Sequence, residues 1–205
     1  MEYDPRKHNR HSIRLRGFDY TTAGMYFVTI CAEDRRMLFG DIRGQRMHTN
    51  AAGQMLLNVF AGIPIHCRGL LIDSFTVMPN HFHGIISLTL GELGPGPCQR
   101  EQAKTADIIA SRNKTAKLPS LPDIVKQFKS LTTHFYIEGV KRRGWPPFDG
   151  RVWQKNYFEH IIRNEDSLVR IRTYIQENPA RWELDSENPA STGRDEFDVW
   201  LAGDL

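Results

Sequence analysis

The chain has 205 residues, 40% of them hydrophobic and 10% aromatic, which is enough to bury the core of one domain of about 150 residues with extensions. Its net charge is only +3, and its three cysteines, Cys31, Cys67 and Cys98, are too scattered for a disulfide framework or a thiolate zinc site. Residues 1–17 lack the apolar segment of a secretory signal, and no window has the roughly 18 apolar residues of a membrane span. We therefore expect a soluble protein of the reducing cytoplasm.

Basic and acidic residues are concentrated at opposite ends of the chain. Five basic residues lie between positions 1 and 16, whereas six acids and one arginine lie between positions 185 and 205. We predict a basic N-terminal arm at 1–24, a folded domain at 25–182 and an acidic C-terminal tail at 183–205. The basic segments would suit a polyanionic partner such as nucleic acid, although a solvated charged face also produces such runs.

In the first half of the chain the apolar pattern predicts a strand, a helix and a hairpin. Residues 26–32 (YFVTICA) are rich in β-branched and aromatic types, as strands are. Residues 50–63 repeat apolar side chains at helical spacing, after an asparagine that can cap the helix. Two further strand-like runs, 70–78 and 81–88, flank the turn dipeptide Pro79-Asn80, which predicts a β-hairpin.

The second half begins with a long insertion and ends in helices. Residues 91–119 are poor in aromatics and punctuated by Gly and Pro, so we expect a loop there. An apolar stripe predicts a helix at 121–137, and a strand-like segment follows at 157–163. A last helix is predicted from the cap candidate Asn164 to about Asn178. The order of elements predicts an α+β fold, a mostly antiparallel sheet with helices packed on one face.

Two histidines stand at alternate positions in the segment VMPNHFHGII. In a strand, His81 and His83 leave the sheet on the same face, about 6 to 7 Å apart at Cβ, while Phe82 points to the opposite face. Both imidazoles could then bind one metal ion, and Gly84 beside them would let a ligand approach closely. Two histidines on a half-polar sheet face are the more common origin of this pattern alone. A nucleotide hydrolase of the histidine-triad type is disfavoured, because Ile85 occupies the next alternate position.

The last predicted helix presents a second group of polar residues. Tyr174 and Asn178 are four positions apart, so a helix carries them on one face, with Arg170 one turn earlier. Tyr174 lies at the border of the apolar stripe, where a half-buried hydroxyl can face a neighbouring element. A tyrosine at the edge of the core and an asparagine that ends the helix before Pro179 would produce the same pattern. Pro179 also disfavours helical geometry at Asn178.

Together, VMPNHFHGII and the later segment WQKNYFEHIIRNEDSLVRIRTYIQENPARW resemble the single-tyrosine HUH transposases, and most closely the REP-associated tyrosine transposases. The resemblance covers about residues 26–182 and leaves the insertion and the acidic tail unexplained. It implies a ferredoxin-like HUH palm with His81 and His83 as metal ligands. It further implies that Tyr174 is the nucleophile and that Asn178 supplies a third ligand through its amide oxygen.

The resemblance also implies the chemistry and the partners. The enzyme would cleave and rejoin single-stranded DNA that forms hairpins, through a covalent 5′-phosphotyrosine, as a monomer or a homodimer in the cytoplasm and without a membrane partner. A free tyrosine is about one part in a thousand phenolate at pH 7, so a Lewis acid is needed to offset a deficit of about 4 kcal/mol. A site of imidazole and amide ligands without cysteine suits Mg²⁺ or Mn²⁺ better than Zn²⁺.

Basic residues on or beside the two late helices are candidates for contacts to DNA phosphates: Arg163, Arg170, Arg172, Lys126 and Lys129. Ordinary solvent-facing charge on amphipathic helices explains any one of them equally well. Three other functions stay open on the sequence: a domesticated DNA-binding or regulatory protein that does not cut, a rolling-circle initiator or relaxase, and a metal-dependent hydrolase of a small molecule. The short chain without a helicase region disfavours the second of these.

Overall fold

The structure, a computed structural model, describes residues 19–67, 69–89, 119–193 and 195–203. Within these residues the chain forms six β-strands and four α-helices, and the main sheet is antiparallel, as expected of the predicted α+β class. Most of the predicted basic arm, and the predicted loop up to residue 118, lie outside the described residues. None of the helices in the described ranges combines the length and the hydropathy needed to cross a membrane.

Four of the strands form the main sheet. In chain order the strands are β1 (Gly24–Cys31), β2 (Gly40–Arg43), β3 (Arg46–Thr49), β4 (Leu70–Val77), β5 (His81–Leu88) and β6 (Phe158–Ile162). The sheet has the order β4-β5-β1-β6, and every neighbouring pair is antiparallel. The predicted hairpin is therefore β4 and β5. Because β5 is hydrogen-bonded to β4 on one side and to β1 on the other, its side chains are held in place from both sides.

Strands β2 and β3 form a separate hairpin that the sequence pattern did not reveal. The turn between them is Gly44-Gln45, whose φ angles of 54° and 63° both lie in the left-handed region, as a two-residue type I′ turn requires. The usual Asn-Gly or Asp-Gly pair is replaced here by Gly-Gln, which is why the turn escaped prediction.

The four helices are α1 (Ala51–Gly62), α2 (Leu121–Arg143), α3 (Glu165–Glu177) and α4 (Glu196–Gly203). The side chains of Asn50, Ser120 and Asn164 cap the first three, each accepting a hydrogen bond from a first-turn amide. Helix α2 runs past its predicted end and stops before Gly144, whose φ of 67° gives the left-handed cap. Helix α3 passes directly into a 3₁₀ helix, Asn178–Leu184.

One face of the main sheet is covered by α1 and α2. The ring of Phe82 points to this side, 4.5 Å from the ring of Phe60 and 5.0 Å from that of Phe128. A side chain at Gly84 would meet the rings of Phe60 and Phe82 at 2.9 Å. The prediction that Gly84 opens a path for a ligand is therefore wrong, because this residue faces the aromatic core and its missing side chain makes room for Phe60.

The opposite face is covered by α3 and α4. Phe27 of β1 and Ile85 of β5 pack here against Leu168 and Ile171 of α3 and Phe197 of α4. The prediction that the helices share one face is corrected by this arrangement. Successive side chains of β1 and β5 alternate between the faces, and both sets are largely apolar, so both faces need a cover. Helix α4, which lies in the segment predicted as an acidic tail, supplies part of that cover.

Candidate metal and nucleophile site

The two histidines of β5 meet on the face covered by α3 and α4. His81 and His83 are 0% and 3% exposed, and their Nε2 atoms lie 2.9 Å apart. Phe82 between them points into the aromatic core on the other face, as strand alternation predicts. The sheet thus delivers two imidazole nitrogens to one point in the protein interior.

The outer ring nitrogens of both histidines are held by neighbouring side chains. Asn80 Nδ2 donates to the carbonyl oxygens of Arg35 and Glu187, so Asn80 Oδ1 is oriented to accept the proton on His81 Nδ1 at 2.8 Å. His83 Nδ1 lies 2.9 Å from Thr29 Oγ1, its cross-strand neighbour on β1. With its proton on Nδ1, His81 presents the lone pair of Nε2 toward His83. Hydrogen bonds of this kind at the outer ring nitrogen fix the orientation and tautomer of histidines that bind metal ions.

Both imidazoles are held in the neutral form that binds metal. Burial, with a smaller contribution from the positive charge of Arg35, lowers the pKa of His81 from 6.5 to about 3, while a hydrogen bond with Asn178 opposes the shift. Burial also lowers the pKa of His83 well below 6.5, and the adjacent His81 adds to the effect. At neutral pH neither ring therefore needs to lose a proton before it can act as a ligand.

Tyr174 is brought to the histidines by α3. Its side chain is 4% exposed, and its hydroxyl oxygen lies 3.5 Å from His83 Nε2. Its ring stacks on Phe197 of α4, with centroids 3.7 Å apart and planes 8° from parallel. Burial, followed by the negative charges of Asp185 and Asp198, raises the pKa of Tyr174 well above its usual value. The phenol is therefore neutral in this arrangement.

Asn178 reaches the same site and is fully buried. Its Nδ2 donates to Asp185 Oδ2 at 2.8 Å, whereas its Oδ1 is buried without a hydrogen bond among the described residues. The sequence-based expectation that Pro179 disfavours helical geometry at Asn178 is wrong. Asn178 has φ −52° and ψ −40°, because the chain continues as a 3₁₀ helix with the proline in its first turn.

Asp185 is a member of the site that sequence reasoning missed. Its Oδ2 lies 3.6 Å from His81 Nε2, and its side chain is 1% exposed. Its Oδ1 accepts a hydrogen bond of 2.7 Å from the amide of Glu187. The sequence offered only a weak signal, since Asp185 is the first of several acids in a segment without periodicity. Its position depends on the 3₁₀ helix that turns the chain back toward β5.

The donor set fits a divalent metal ion. His81, His83 and Asp185 offer ligand atoms within 4.8 Å of one another, and Asn178 adds a buried carbonyl oxygen without a hydrogen-bond donor in the described part of the chain. Two ligands about 2.1 Å from an octahedral ion lie about 3.0 Å apart, close to the observed separation of 2.9 Å between the imidazoles. Mixed nitrogen and oxygen donors suit Mn²⁺ and tolerate Mg²⁺. The carboxylate also makes the set compatible with zinc, a possibility that the sequence argument from missing cysteines did not include.

A cavity of about 610 Å³ lies beside the histidines and the tyrosine. Its walls include His83 and Tyr174, together with Phe158 of the edge strand β6, Phe197 of α4 and Glu187. The cavity gives a reacting group a path to the tyrosine that the packed interior would otherwise block.

The five predicted DNA-contacting residues have varied surroundings. Arg172 makes two hydrogen bonds to Asp73, at 2.7 and 2.6 Å, and Arg170 lies over the ring of Trp200 at 4.8 Å. Lys129 donates to the backbone carbonyls of residues 154 and 156. Lys126 and Arg163 are exposed. These five assignments stay predictions.

Comparison with known proteins gives one clear relationship. No protein-family model matches the chain. The solved structure of a REP-associated tyrosine transposase bound to a REP hairpin is 19% identical with a TM-score of 0.45, covering 82% of this chain and 74% of that one. A candidate transposase of Deinococcus radiodurans R1 is 16% identical with a TM-score of 0.42, covering 80% of this chain and 95% of that one.

These two structural likenesses fall below a TM-score of 0.5, so they assign neither an activity nor a residue role. An uncharacterized protein of Haemophilus influenzae strain Rd is 38% identical over 184 residues, which cover 90% of this chain and 96% of that protein. Identity at this level over nearly the full length of both chains reflects a shared fold and common descent. The chain belongs to the same family as this Haemophilus influenzae protein.

Proposed function

We propose that the protein is a metal-dependent enzyme that cleaves and rejoins single-stranded DNA through a covalent 5′-phosphotyrosine, with Tyr174 as nucleophile. One observation carries the proposal: the Tyr174 hydroxyl lies 3.5 Å from His83 Nε2, which in turn lies 2.9 Å from His81 Nε2. A nucleophile beside a donor set for a divalent ion is the arrangement that phosphoryl transfer to a protein side chain requires.

The residues divide into two roles. His81, His83 and Asn178 would hold the ion, and Asp185 would complete the set and neutralise part of its charge. When bound, a divalent ion would polarise the scissile phosphate as a Lewis acid and stabilise the negative charge that develops on its oxygens. Tyr174 would approach from α3, whose attachment to the sheet fixes the direction of the phenol.

The bond changes balance without a co-reactant. As the oxygen of Tyr174 forms a bond to phosphorus, the bond from phosphorus to the 3′ oxygen breaks. The phenol loses one proton and the departing 3′ oxygen gains one, which leaves a free 3′-hydroxyl and a 5′-phosphotyrosine. The reverse step onto a new 3′-hydroxyl rejoins the strand, and no nucleotide triphosphate is consumed because one phosphodiester replaces another.

Two features favour a single-stranded substrate and a site completed within one chain. The Tyr174 hydroxyl and both histidines belong to one polypeptide, so no partner subunit is needed to bring them together. Tyr174 is only 4% exposed and lines a cavity of about 610 Å³, which an unpaired strand can enter more readily than a duplex. Recognition of a hairpin is part of the proposal and rests on the sequence resemblance.

The decisive test is a denaturing gel of the protein with a labelled single-stranded DNA and Mn²⁺. We expect a covalent adduct with the wild type and none with Tyr174→Phe, which should still bind DNA. As a matched control, Tyr136→Phe removes a tyrosine hydroxyl on the other face of the sheet and should leave the adduct. An adduct formed by Tyr174→Phe would refute the assignment of the nucleophile.

The metal assignment is tested by thermal denaturation with Mn²⁺, Mg²⁺ or Zn²⁺ in turn. An ion at 100 times its dissociation constant stabilises the fold by about 2.7 kcal/mol. His81→Ala and Asp185→Asn should reduce this stabilisation, whereas His134→Ala, at an exposed histidine of α2, should leave it unchanged. Equal stabilisation of all four proteins would show that the ion binds elsewhere.

A second function is favoured by one observation. The ring of Tyr174 is stacked at 3.7 Å on Phe197, and the pKa of its phenol is raised by burial, so the nucleophile is covered and neutral. A DNA-binding protein that retains the fold without cutting would tolerate this arrangement. Binding of single-stranded DNA without an adduct under all three metal ions would support this alternative over the enzyme.

A further inference from the structure

The short turn between β1 and β2 has an uncommon backbone. Asp34 and Arg35, with φ of 55° and 52°, lie one after the other in the left-handed region that favours glycine. Residues other than glycine keep this backbone conformation only where the surrounding structure holds them, and such residues concentrate at functional sites. The turn is therefore a place to look for a residue whose position serves more than stability.

A single buried amide fixes this turn to the candidate site. Asn80 is 0% exposed, and its Nδ2 donates to the carbonyl of Arg35 at 3.1 Å and to that of Glu187 at 2.8 Å. Its Oδ1 accepts from His81 Nδ1 at 2.8 Å. The backbone of Arg35 is thus held at a fixed place relative to a proposed metal ligand.

The side chain of Arg35 contacts a residue that lines the cavity. Its Nε donates to Glu187 Oε2 at 3.0 Å, and Glu187 lines the cavity together with Tyr174 and His83. The two side chains are 47% and 23% exposed, so the ion pair is partly solvated and contributes little to folding. Its charge nonetheless reaches the site, because it lowers the pKa of His81.

Several carboxylates lie around Tyr174, of which Asp195 is paired with Arg181 at 3.2 Å. Asp185, Asp195, Asp198 and Glu187 all raise the pKa of Tyr174. A phosphodiester that approaches the phenol would be repelled by these carboxylates unless a cation accompanies it. Guanidinium groups bind phosphate oxygens with strong charge-assisted hydrogen bonds and cannot lose their charge.

We propose that Arg35 binds a non-bridging oxygen of the DNA phosphate at the site and that Glu187 holds the guanidinium in place until the phosphate replaces it. The inference rests on the proposed function, since it names a specific contact to the same substrate. In the exchange one anion replaces another on the same guanidinium, and Glu187 is released to solvent at the border of the cavity.

The test measures binding of a single-stranded DNA in Mn²⁺, in a Tyr174→Phe background that prevents cleavage. Arg35→Gln should weaken binding by at least about tenfold, since it removes hydrogen bonds to a charged group. Glu187→Gln should strengthen binding a few-fold, because it removes the competitor for Arg35. Opposite signs alone also follow from the change in net charge, so the proposal requires both effects to exceed those of a control ion pair elsewhere on the surface.

A second ion pair provides the matched control. Arg43 and Asp41 on β2 form a similar contact, with Nε and Oδ2 2.7 Å apart, and both are more exposed. Arg43→Gln and Asp41→Asn change the net charge by the same amounts, so they report the non-specific electrostatic effect. Effects at Arg35 and Glu187 that equal those of the control pair, or that share one sign, would overturn the proposal.

A modified DNA makes the contact itself measurable. Neutral methylphosphonate linkages, placed one at a time along the strand, should include one position where wild-type affinity falls and Arg35→Gln shows no further loss. Independent losses at every position would overturn the phosphate contact even if wild-type adducts form. Conversely, coupling at one position without any adduct in the wild type would refute the cleavage function and leave the contact standing.

Discussion

The two faces of the main sheet use the same strands for different purposes. On the face covered by α1 and α2, β5 contributes Phe82 to a set of tightly packed aromatic rings. On the face covered by α3 and α4, the same strand contributes His81 and His83 to a buried polar cluster. Because neighbouring residues of a strand point in opposite directions, one segment of sequence can serve stability and chemistry without compromise between them.

Each face of the main sheet also contains buried polar groups. On the aromatic face, Trp153 Nε1 donates to Thr132 Oγ1 at 2.8 Å, and Thr132 Oγ1 donates to the carbonyl of Phe128 at 2.7 Å, whereas Gln127 Nε2 of α2 has no hydrogen-bond acceptor among the described residues. On the other face, Asn178 Oδ1 has no hydrogen bond among the described residues and lies beside two imidazoles and a carboxylate. Its surroundings, more than the missing bond itself, mark Asn178 as a candidate ligand.

The largest expected difference between the faces concerns stability. Phe128→Ala should lower the free energy of unfolding by about 3–5 kcal/mol, because Phe128 is fully buried among Phe60, Phe82 and Trp153. Phe197→Ala should cost about half as much or less, since Phe197 borders a cavity into which its surroundings can relax. Urea denaturation measures both values. Equal losses would show that the face with the site is as tightly packed as the core.

The second expected difference between the faces is how the free energy of unfolding depends on pH below neutrality. The folded imidazoles of His81 and His83 have lowered pKa values, whereas the unfolded ones take up protons below about pH 6.5. Below about pH 6.5 the unfolded state binds more protons, so the metal-free protein should lose up to about 1.4 kcal/mol per pH unit for each imidazole as the pH falls, and for His81 this loss continues to about pH 3.

Urea denaturation in EDTA at several pH values measures this slope. His134→Gln, at an exposed histidine, is the control and should leave the slope unchanged. Amide exchange should show α3 losing protection in acid before α2, because the acid-sensitive groups lie under α3. A stability that does not change between pH 7 and pH 4.5 would contradict the neutral buried imidazoles.

The smallest expected difference is the loss of stability when one tyrosine hydroxyl is removed from each face. Tyr136 donates a hydrogen bond of 3.0 Å to the carbonyl of Pro146, so Tyr136→Phe should cost about 1 kcal/mol of stability. The Tyr174 hydroxyl has a weak contact of 3.5 Å to His83, so Tyr174→Phe should change stability by less than about 0.5 kcal/mol. Thermal denaturation of the two variants measures this contrast, and a larger loss for Tyr174→Phe would indicate a structural role.

The sequence predicted the elements with strong periodicity or clear capping residues and missed two short elements. The strand of the histidines, the hairpin before it and the cap at Asn164 follow from alternation and capping chemistry, and the structure confirms them as secondary structure. The β2–β3 hairpin and α4 were missed. Both are short, and α4 is only stable because Phe197 and Leu201 pack on the sheet.

The sequence likewise predicted most residues of the candidate site and missed one. His81, His83, Tyr174 and Asn178 stand at spacings that secondary structure converts into shared faces, and the structure brings all four together. Asp185 is brought to the site by a 3₁₀ helix whose direction no local pattern specifies. A residue on a connecting segment has no periodic spacing that reveals its neighbours. The folded structure is therefore needed to assign such a residue to a site.

The order of the site residues along the chain has a consequence for synthesis. Tyr174 follows His83 by 91 positions, and Asn178 and Asp185 come later still. A polypeptide interrupted by a premature stop codon before α3 would contain the aromatic core strands and both imidazoles but not Tyr174, the nucleophile that we propose. Under the proposed function, unfinished translation products of the gene could not form the covalent link to DNA.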